Sequence, residues 1–189
     1  EAKSSVFLFG PRGVGKTALV KKLLATCHTV LYFNLLQRTT RHSLENDLEL
    51  FRHQVLEAIP KKGTLIVAVD EVQLIPQLLD EVHDLIESYK GKLTFILTGS
   101  SARKLKRNRA NLLAGRALTR LLFPLSTIET ELDLTRALSI GTLPGIYLEK
   151  RPDEKLDAYV DTYLKEEIQQ EAVTRNLPTF NRFLELAAQ

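Results

Sequence analysis

The chain lacks methionine and tryptophan altogether and has one cysteine, Cys27, in 189 residues. A lone cysteine closes no internal disulfide, which fits a reducing compartment and excludes a disulfide-stapled scaffold. No apolar run approaches the roughly 18 residues that a membrane span needs, and Glu1 opens no signal-like segment. A cytoplasmic protein is the expectation. With 44% hydrophobic and 26% charged residues, the composition is neither disordered nor fibrous nor collagen-like. A domain of this size buries about 70% of its unfolded surface and needs no staples. Methionine is missing even at position 1, and Leu184–Gln189 stops inside a helical pattern with no cap. The chain is therefore expected to belong to a longer reading frame.

An overall excess of charge is also lacking: the formal net charge is only +3. Seven of the 26 basic residues (Arg103, Lys104, Lys106, Arg107, Arg109, Arg116 and Arg120) fall within 101–124, where there is no acid. The rest of the chain carries 19 basic against 23 acidic groups. This excludes a general nucleic-acid coat but marks one concentrated basic segment. That segment reads as a solvated loop, a contact for nucleic-acid phosphates or a protein-binding element. His28, His42, His53 and His83 show no spacing with Cys or carboxylates that makes a metal site.

What the chain does contain is an alternation of strands and helices. Val6–Phe9, Val30–Phe33, Leu65–Val69 and Leu93–Leu97 are short apolar runs of the kind buried in parallel sheets, and Ala117–Phe123 is expected as a fifth strand. Between them, Lys16–Ala25, Ser43–Ile59 with Ser43 as N-cap, and Pro76–Tyr89 have helical spacing. After Pro124 the pattern turns helical, over about Ser126–Ile140, Asp153–Val173 and Thr179–Gln189. Such βα alternation predicts right-handed crossovers and helices on both faces of the sheet.

The first strand-to-helix turn carries the strongest chemical signal. Gly10-Pro11-Arg12-Gly13-Val14-Gly15-Lys16-Thr17 fits G-x-x-x-x-G-K-[ST] with a strand before and a helix after. Glycines let the backbone curl so that successive N–H groups face phosphate oxygens, and the helix aims its positive end at the same point. Lys16 then reaches the β- and γ-phosphates, and Thr17 offers a hydroxyl to Mg²⁺. The predicted nucleotide-binding set is Gly10, Pro11, Arg12, Gly13, Val14, Gly15, Lys16, Thr17 and Ala18. Val67-Ala68-Val69-Asp70-Glu71 places two carboxylates at the edge of the sheet where ligands bind. Asp70 suits Mg²⁺, and Glu71 suits activation of an attacking water, which favours hydrolysis over transfer to a small molecule. Gln73, three residues after Asp70, reads either as a neighbour of the nucleotide or as a surface residue. The fourth strand ends in Thr98-Gly99-Ser100-Ser101. Ser100 is the first choice for a water-orienting group, with Ser101 or Thr98 as alternatives. Gly99-Ser100 completes no G-x-S-x-G elbow, so a serine hydrolase is unsupported.

These segments, together with Leu113-Ala114-Gly115-Arg116, Phe123-Pro124-Leu125-Ser126, Gly141–Tyr147 and Tyr159–Leu164, resemble a family of bacterial and archaeal AAA-type ATP-binding proteins. In that family an ATPase core precedes a C-terminal domain of unknown function. The resemblance implies a P-loop NTPase three-layer αβα sandwich with a five-stranded parallel sheet, the first strand lying between the third and fourth. It implies a core over 1–125 and a helical lid with the start of a C-terminal region over 126–189. It also implies Arg116 as an arginine finger or phosphate sensor. Adenine preference rests on the resemblance too, because no guanine-specifying N-K-x-D stretch is present. The expected activity is Mg²⁺-dependent hydrolysis of ATP to ADP and phosphate, with Glu71, Lys16, Ser100 and Arg116 catalytic and Thr17 and Asp70 holding the metal. The alternatives are a nucleotide-gated switch with little turnover, working as a homo-oligomer or with a protein partner, and nucleic-acid binding through residues 103–120.

Overall fold

In the computed structural model, which describes residues 4–100, 105, 113, 115–164, 179–180, 182–183 and 186, the apolar runs form one parallel sheet. Its strands are β1 (Ser5–Phe9), β2 (Val30–Asn34), β3 (Leu65–Asp70), β4 (Leu93–Gly99) and β5 (Ala117–Leu121). The order across the sheet is β2-β3-β4-β1-β5. All four neighbouring pairs are parallel, with Val6 opposite Ile96, Ser5 opposite Ala117 and Tyr32 opposite Ala68. The αβα class of the sequence reading is therefore what is found, with one correction. β1 lies between β4 and β5, not between the third and fourth strands, which pair directly with each other.

Side-chain alternation divides the core between the two faces. Phe7, Phe9, Val67, Val69, Phe95 and Leu97 face one side, where they pack with Leu44, Phe51, Val55, Leu78, Val82 and Leu85. Leu8 and Ala68 face the other, beneath Val20 and Leu24. The helices supplying these residues are α1 (Lys16–Leu24), α2 (Arg38–Asn46), α3 (Leu48–Ala58) and α4 (Leu78–Ser88).

The single helix expected over Ser43–Ile59 is in fact α2 and α3, broken at Asp47. Asp47 is extended (φ −146°, ψ 95°), and its carboxylate accepts a 3.3 Å bond from the Leu50 N–H, capping α3. Ser43 is thus inside α2, where its hydroxyl donates to the Thr39 carbonyl at 3.0 Å. The apolar spacing 44, 48, 51, 55 fits one helix or two equally well, so periodicity alone does not reveal the break. Ahead of α4, Val72–Leu74 forms a 3₁₀ turn, and the regular helix starts at Leu78 instead of Pro76.

The chain divides into two compact units, 1–123 and 124–189. Within the second, the helix expected over Ser126–Ile140 is shorter. It is α5 (Leu134–Ile140), capped by Asp133, whose carboxylate accepts from the Arg136 N–H at 2.6 Å. Pro144 opens the one-turn helix α6 (Pro144–Tyr147). The Arg136 guanidinium ties α5 to α6, donating to the carbonyls of Tyr147 at 3.0 Å and Glu149 at 2.7 Å and lying over the Tyr147 ring. Helix α7 (Pro152–Ala158) runs into a π-helical turn, Tyr159–Leu164. Residues 165–173 of the expected Asp153–Val173 segment and most of 179–189 lie outside the described residues. No helix among the described residues is long and apolar enough to cross a membrane.

Candidate functional site

The site is built at the C-terminal edge of β1, β3 and β4, three neighbours in the sheet. Directly after β1, Gly13 (φ 86°) and Gly15 (φ 94°) take left-handed backbone conformations that side chains resist. They curl residues 10–15 back onto the start of α1, whose first N–H groups have no helical partner and face the loop. Gly10 is required for a different reason: a Cβ there would lie 2.2 Å from the Leu122 carbonyl oxygen. Leu122 in turn donates its N–H to the Phe9 carbonyl at 2.7 Å, so loop and β5 are in intimate contact. Val14 is buried beneath the loop, and the Lys16 side chain is only 5% exposed. The Lys16 ammonium donates to the carbonyls of Gly10 (2.7 Å) and Pro11 (3.0 Å), which places a positive charge inside the curl.

The Thr17 hydroxyl donates to Asp70 Oδ2 at 2.6 Å, joining the start of α1 to the end of β3 across 53 residues of sequence. Asp70 is 1% exposed and takes two further hydroxyl donors: Tyr32 to Oδ2 at 3.0 Å, and Thr98 to Oδ1. Burial, followed by the negative charge of Asp70, pushes the Tyr32 hydroxyl well above the usual phenol range. The phenol therefore stays protonated and remains a donor. Thr98 is equally buried at 1%, and it also accepts the Glu71 N–H at 3.1 Å. One hydroxyl thus fixes both members of the Asp-Glu pair. Glu71 itself has a left-handed backbone (φ 62°, ψ 47°), a conformation that costs a non-glycine residue roughly 1–3 kcal/mol. Its carboxylate accepts from the Gln73 amide, which also lies 3.4 Å from the Ser100 hydroxyl oxygen.

Lys16, Thr17, Asp70, Glu71 and Ser100 are therefore gathered at one edge of the sheet, and Gln73 lies with them instead of on the surface. Arg116 is not brought there. It immediately precedes β5, whose first residue is opposite Ser5, the first residue of β1. That is the other end of the strands, roughly 15 Å from the loop at about 3.3 Å per residue. Its guanidinium bonds Glu87 near the end of α4 and holds that carboxyl below its ordinary range. The resemblance implied a place for Arg116 at the nucleotide, but a fifth parallel strand beside β1 has to start from the opposite edge of the sheet. Ser101 and the basic run Arg103–Arg109 lie outside the described residues.

The sequence reading missed Tyr32. No motif or spacing links positions 32 and 70. The connection arises only because β2 pairs with β3 in a register that puts Tyr32 beside Ala68, on the same face as Asp70.

The donors present fit a magnesium–nucleotide complex. Thr17 and Asp70 offer hard oxygens within hydrogen-bond distance of one another. Among the described residues there is no group of three or more His, Cys, Asp or Glu that could hold a metal ion unaided. A family model described as an AAA domain matches residues 2–131. No curated protein matches the chain.

Proposed function

Because the chain belongs to the AAA-domain family, whose model spans residues 2–131, and this domain type binds nucleotides, we propose that it is a Mg²⁺-dependent ATPase. The observation that carries this reading is the 2.6 Å bond between the Thr17 hydroxyl and the buried Asp70 carboxylate, directly beside a curled glycine loop. In this reading residues 10–18 hold the phosphates through backbone N–H groups and the positive end of α1. Lys16 exchanges its carbonyl partners for the β- and γ-phosphate oxygens. Thr17 and Asp70 hold Mg²⁺, which when bound neutralises charge on the phosphates. Glu71 accepts a proton from the attacking water, and the Ser100 hydroxyl orients the γ-phosphate or that water. Hydrolysis rearranges residues 126–189, which act as a lid.

The position of Arg116 favours a second reading as well. With Arg116 bonded to Glu87 at the far edge, it supplies no transition-state charge within its own subunit, where an arginine finger contributes roughly 10³–10⁵ in rate. A nucleotide-gated switch with slow turnover fits that arrangement, and so does an assembly in which a second copy presents an arginine.

ATP turnover and bound nucleotide, measured for wild type, Lys16→Ala and Glu71→Gln, test the reading. The expected result is loss of binding in Lys16→Ala. In Glu71→Gln, binding is retained and turnover is reduced roughly 10²–10⁴-fold. Unchanged turnover in Glu71→Gln removes Glu71 as the base. Tight wild-type binding without turnover favours the switch.

A further inference from the structure

Gln73 is only 9% exposed, in the 3₁₀ turn that follows β3, and the two halves of its amide are in unequal situations. The NH₂ end has two hydrogens and faces two acceptors, the Glu71 carboxylate and, at 3.4 Å, the Ser100 oxygen. The carbonyl end, Oε1, is buried with no hydrogen-bond partner among the described residues. Leaving a buried carbonyl unpaired is costly, and an apolar side chain of similar size would fill the space without that cost. Rotating the amide would bring its oxygen against the carboxylate, so the orientation is fixed by Glu71. The neighbouring strand makes room for this amide. A Cβ on Gly99 would lie 2.7 Å from Gln73 Oε1 and 3.3 Å from the Phe9 ring.

We propose that Gln73 is a positioning residue that ties the Glu71 carboxylate to the Ser100 hydroxyl as one unit. This rests on Glu71 being the base. The Glu71 backbone is already anchored by Thr98, and the bond from Gln73 fixes the remaining freedom, that of the side chain. With Oε2 engaged, Oε1 stays available to accept the proton of a water. Because Ser100 accepts from Gln73, its own O–H is directed elsewhere, toward a phosphate oxygen. The carboxylate at the end of β3 and the hydroxyl at the end of β4 therefore respond together to the group placed between them.

Two measurements test this. In ¹⁵N-labelled protein without nucleotide, the Gln73 side-chain amide resonances, assigned by their loss in Gln73→Leu, should shift in both Glu71→Ala and Ser100→Ala. No shift in either variant overturns the bridge. In steady-state kinetics, Gln73→Leu should lower kcat for ATP roughly 10- to 100-fold with nucleotide affinity within about twofold of wild type. Adding Gln73→Leu to Glu71→Gln should have little further effect, since both remove one device. Gly99→Ala, which crowds the amide without deleting it, should lower kcat in the same sense and serves if Gln73→Leu folds poorly. A wild-type kcat in Gln73→Leu or Gly99→Ala, or a full additive loss in the double variant, overturns the proposal alone. Absence of wild-type turnover overturns the ATPase reading and this proposal with it.

Discussion

Replacing Thr98 by valine keeps the shape of the side chain and deletes the one hydroxyl that serves both Asp70 and Glu71. Two bonds disappear. The donation to the Asp70 carboxylate is a hydrogen bond to a charged group, of a class that contributes about 1.5–3 kcal/mol. The Glu71 N–H loses its 3.1 Å acceptor, and an unsatisfied backbone donor costs about 1–3 kcal/mol, toward the lower end here because the bond is only partly buried. Valine gives back about 1 kcal/mol, since its methyl needs no desolvated partner. The net expectation is a loss of roughly 2–4 kcal/mol, a large share of the ~5–15 kcal/mol typical of a whole domain. For a chain of this length it corresponds to a fall in Tm of roughly 4–16 °C. Urea unfolding followed by far-UV circular dichroism, without nucleotide, measures it. Thr98→Ser is the control: it retains the hydroxyl and loses one methyl, at a cost of about 1 kcal/mol. If Thr98→Val is no less stable than Thr98→Ser, the hydroxyl does not tether the Asp-Glu pair and the reasoning fails.

Gly10→Ala should destabilise by at least about 1–3 kcal/mol, because its Cβ meets a backbone carbonyl at 2.2 Å instead of a movable side chain. An unchanged Tm would contradict the close approach of the loop to Leu122. Arg116→Ala should show a specific pH dependence. The hydrogen bond from Arg116 is the largest influence lowering the Glu87 pKa, with Lys90 adding to it. The folded state thus binds that proton less tightly than the unfolded chain. The pair's stabilisation is present above the ordinary carboxylate range, near pH 4–5, and is lost as pH falls through the lower folded value. The difference in urea midpoint between wild type and Arg116→Ala should be largest at pH 7 and shrink as pH falls below the ordinary carboxylate range. A difference that persists at low pH would mean that Arg116 acts through something other than Glu87.

Where the candidate site was legible in the sequence, the signal was local. The loop from Gly10 to Thr17 announces itself because phosphate binding needs glycines, a lysine and a hydroxyl at fixed offsets. Asp70-Glu71 is legible because an apolar run ends abruptly in charge. The break at Asp47 was hidden by a hydrophobic stripe that continues in phase through it. Tyr32 was hidden because its link to Asp70 depends on which strands are neighbours. Arg116, assigned to the site by resemblance, lies elsewhere because a fifth strand parallel to β1 begins at the opposite edge of the sheet. Gln73 carried the right hint, three residues after Asp70, but only the orphaned oxygen and the missing Cβ of Gly99 show where its amide points.

The strand order also bears on when the protein becomes competent during synthesis. The chain makes β1 first and β2 second, then inserts β4 and β3 between them. A nascent chain that has emerged only as far as residue 90 already carries the entire glycine loop and Asp70. It lacks the strand that spans the gap between β1 and β3, and it lacks Thr98. The bond from Thr17 to Asp70 therefore cannot close until β4 slots into place, a contact of long sequence separation that forms late. Nucleotide capture should accordingly report the completed sheet and not its first half. A ligand bound there stabilises the whole sheet at once.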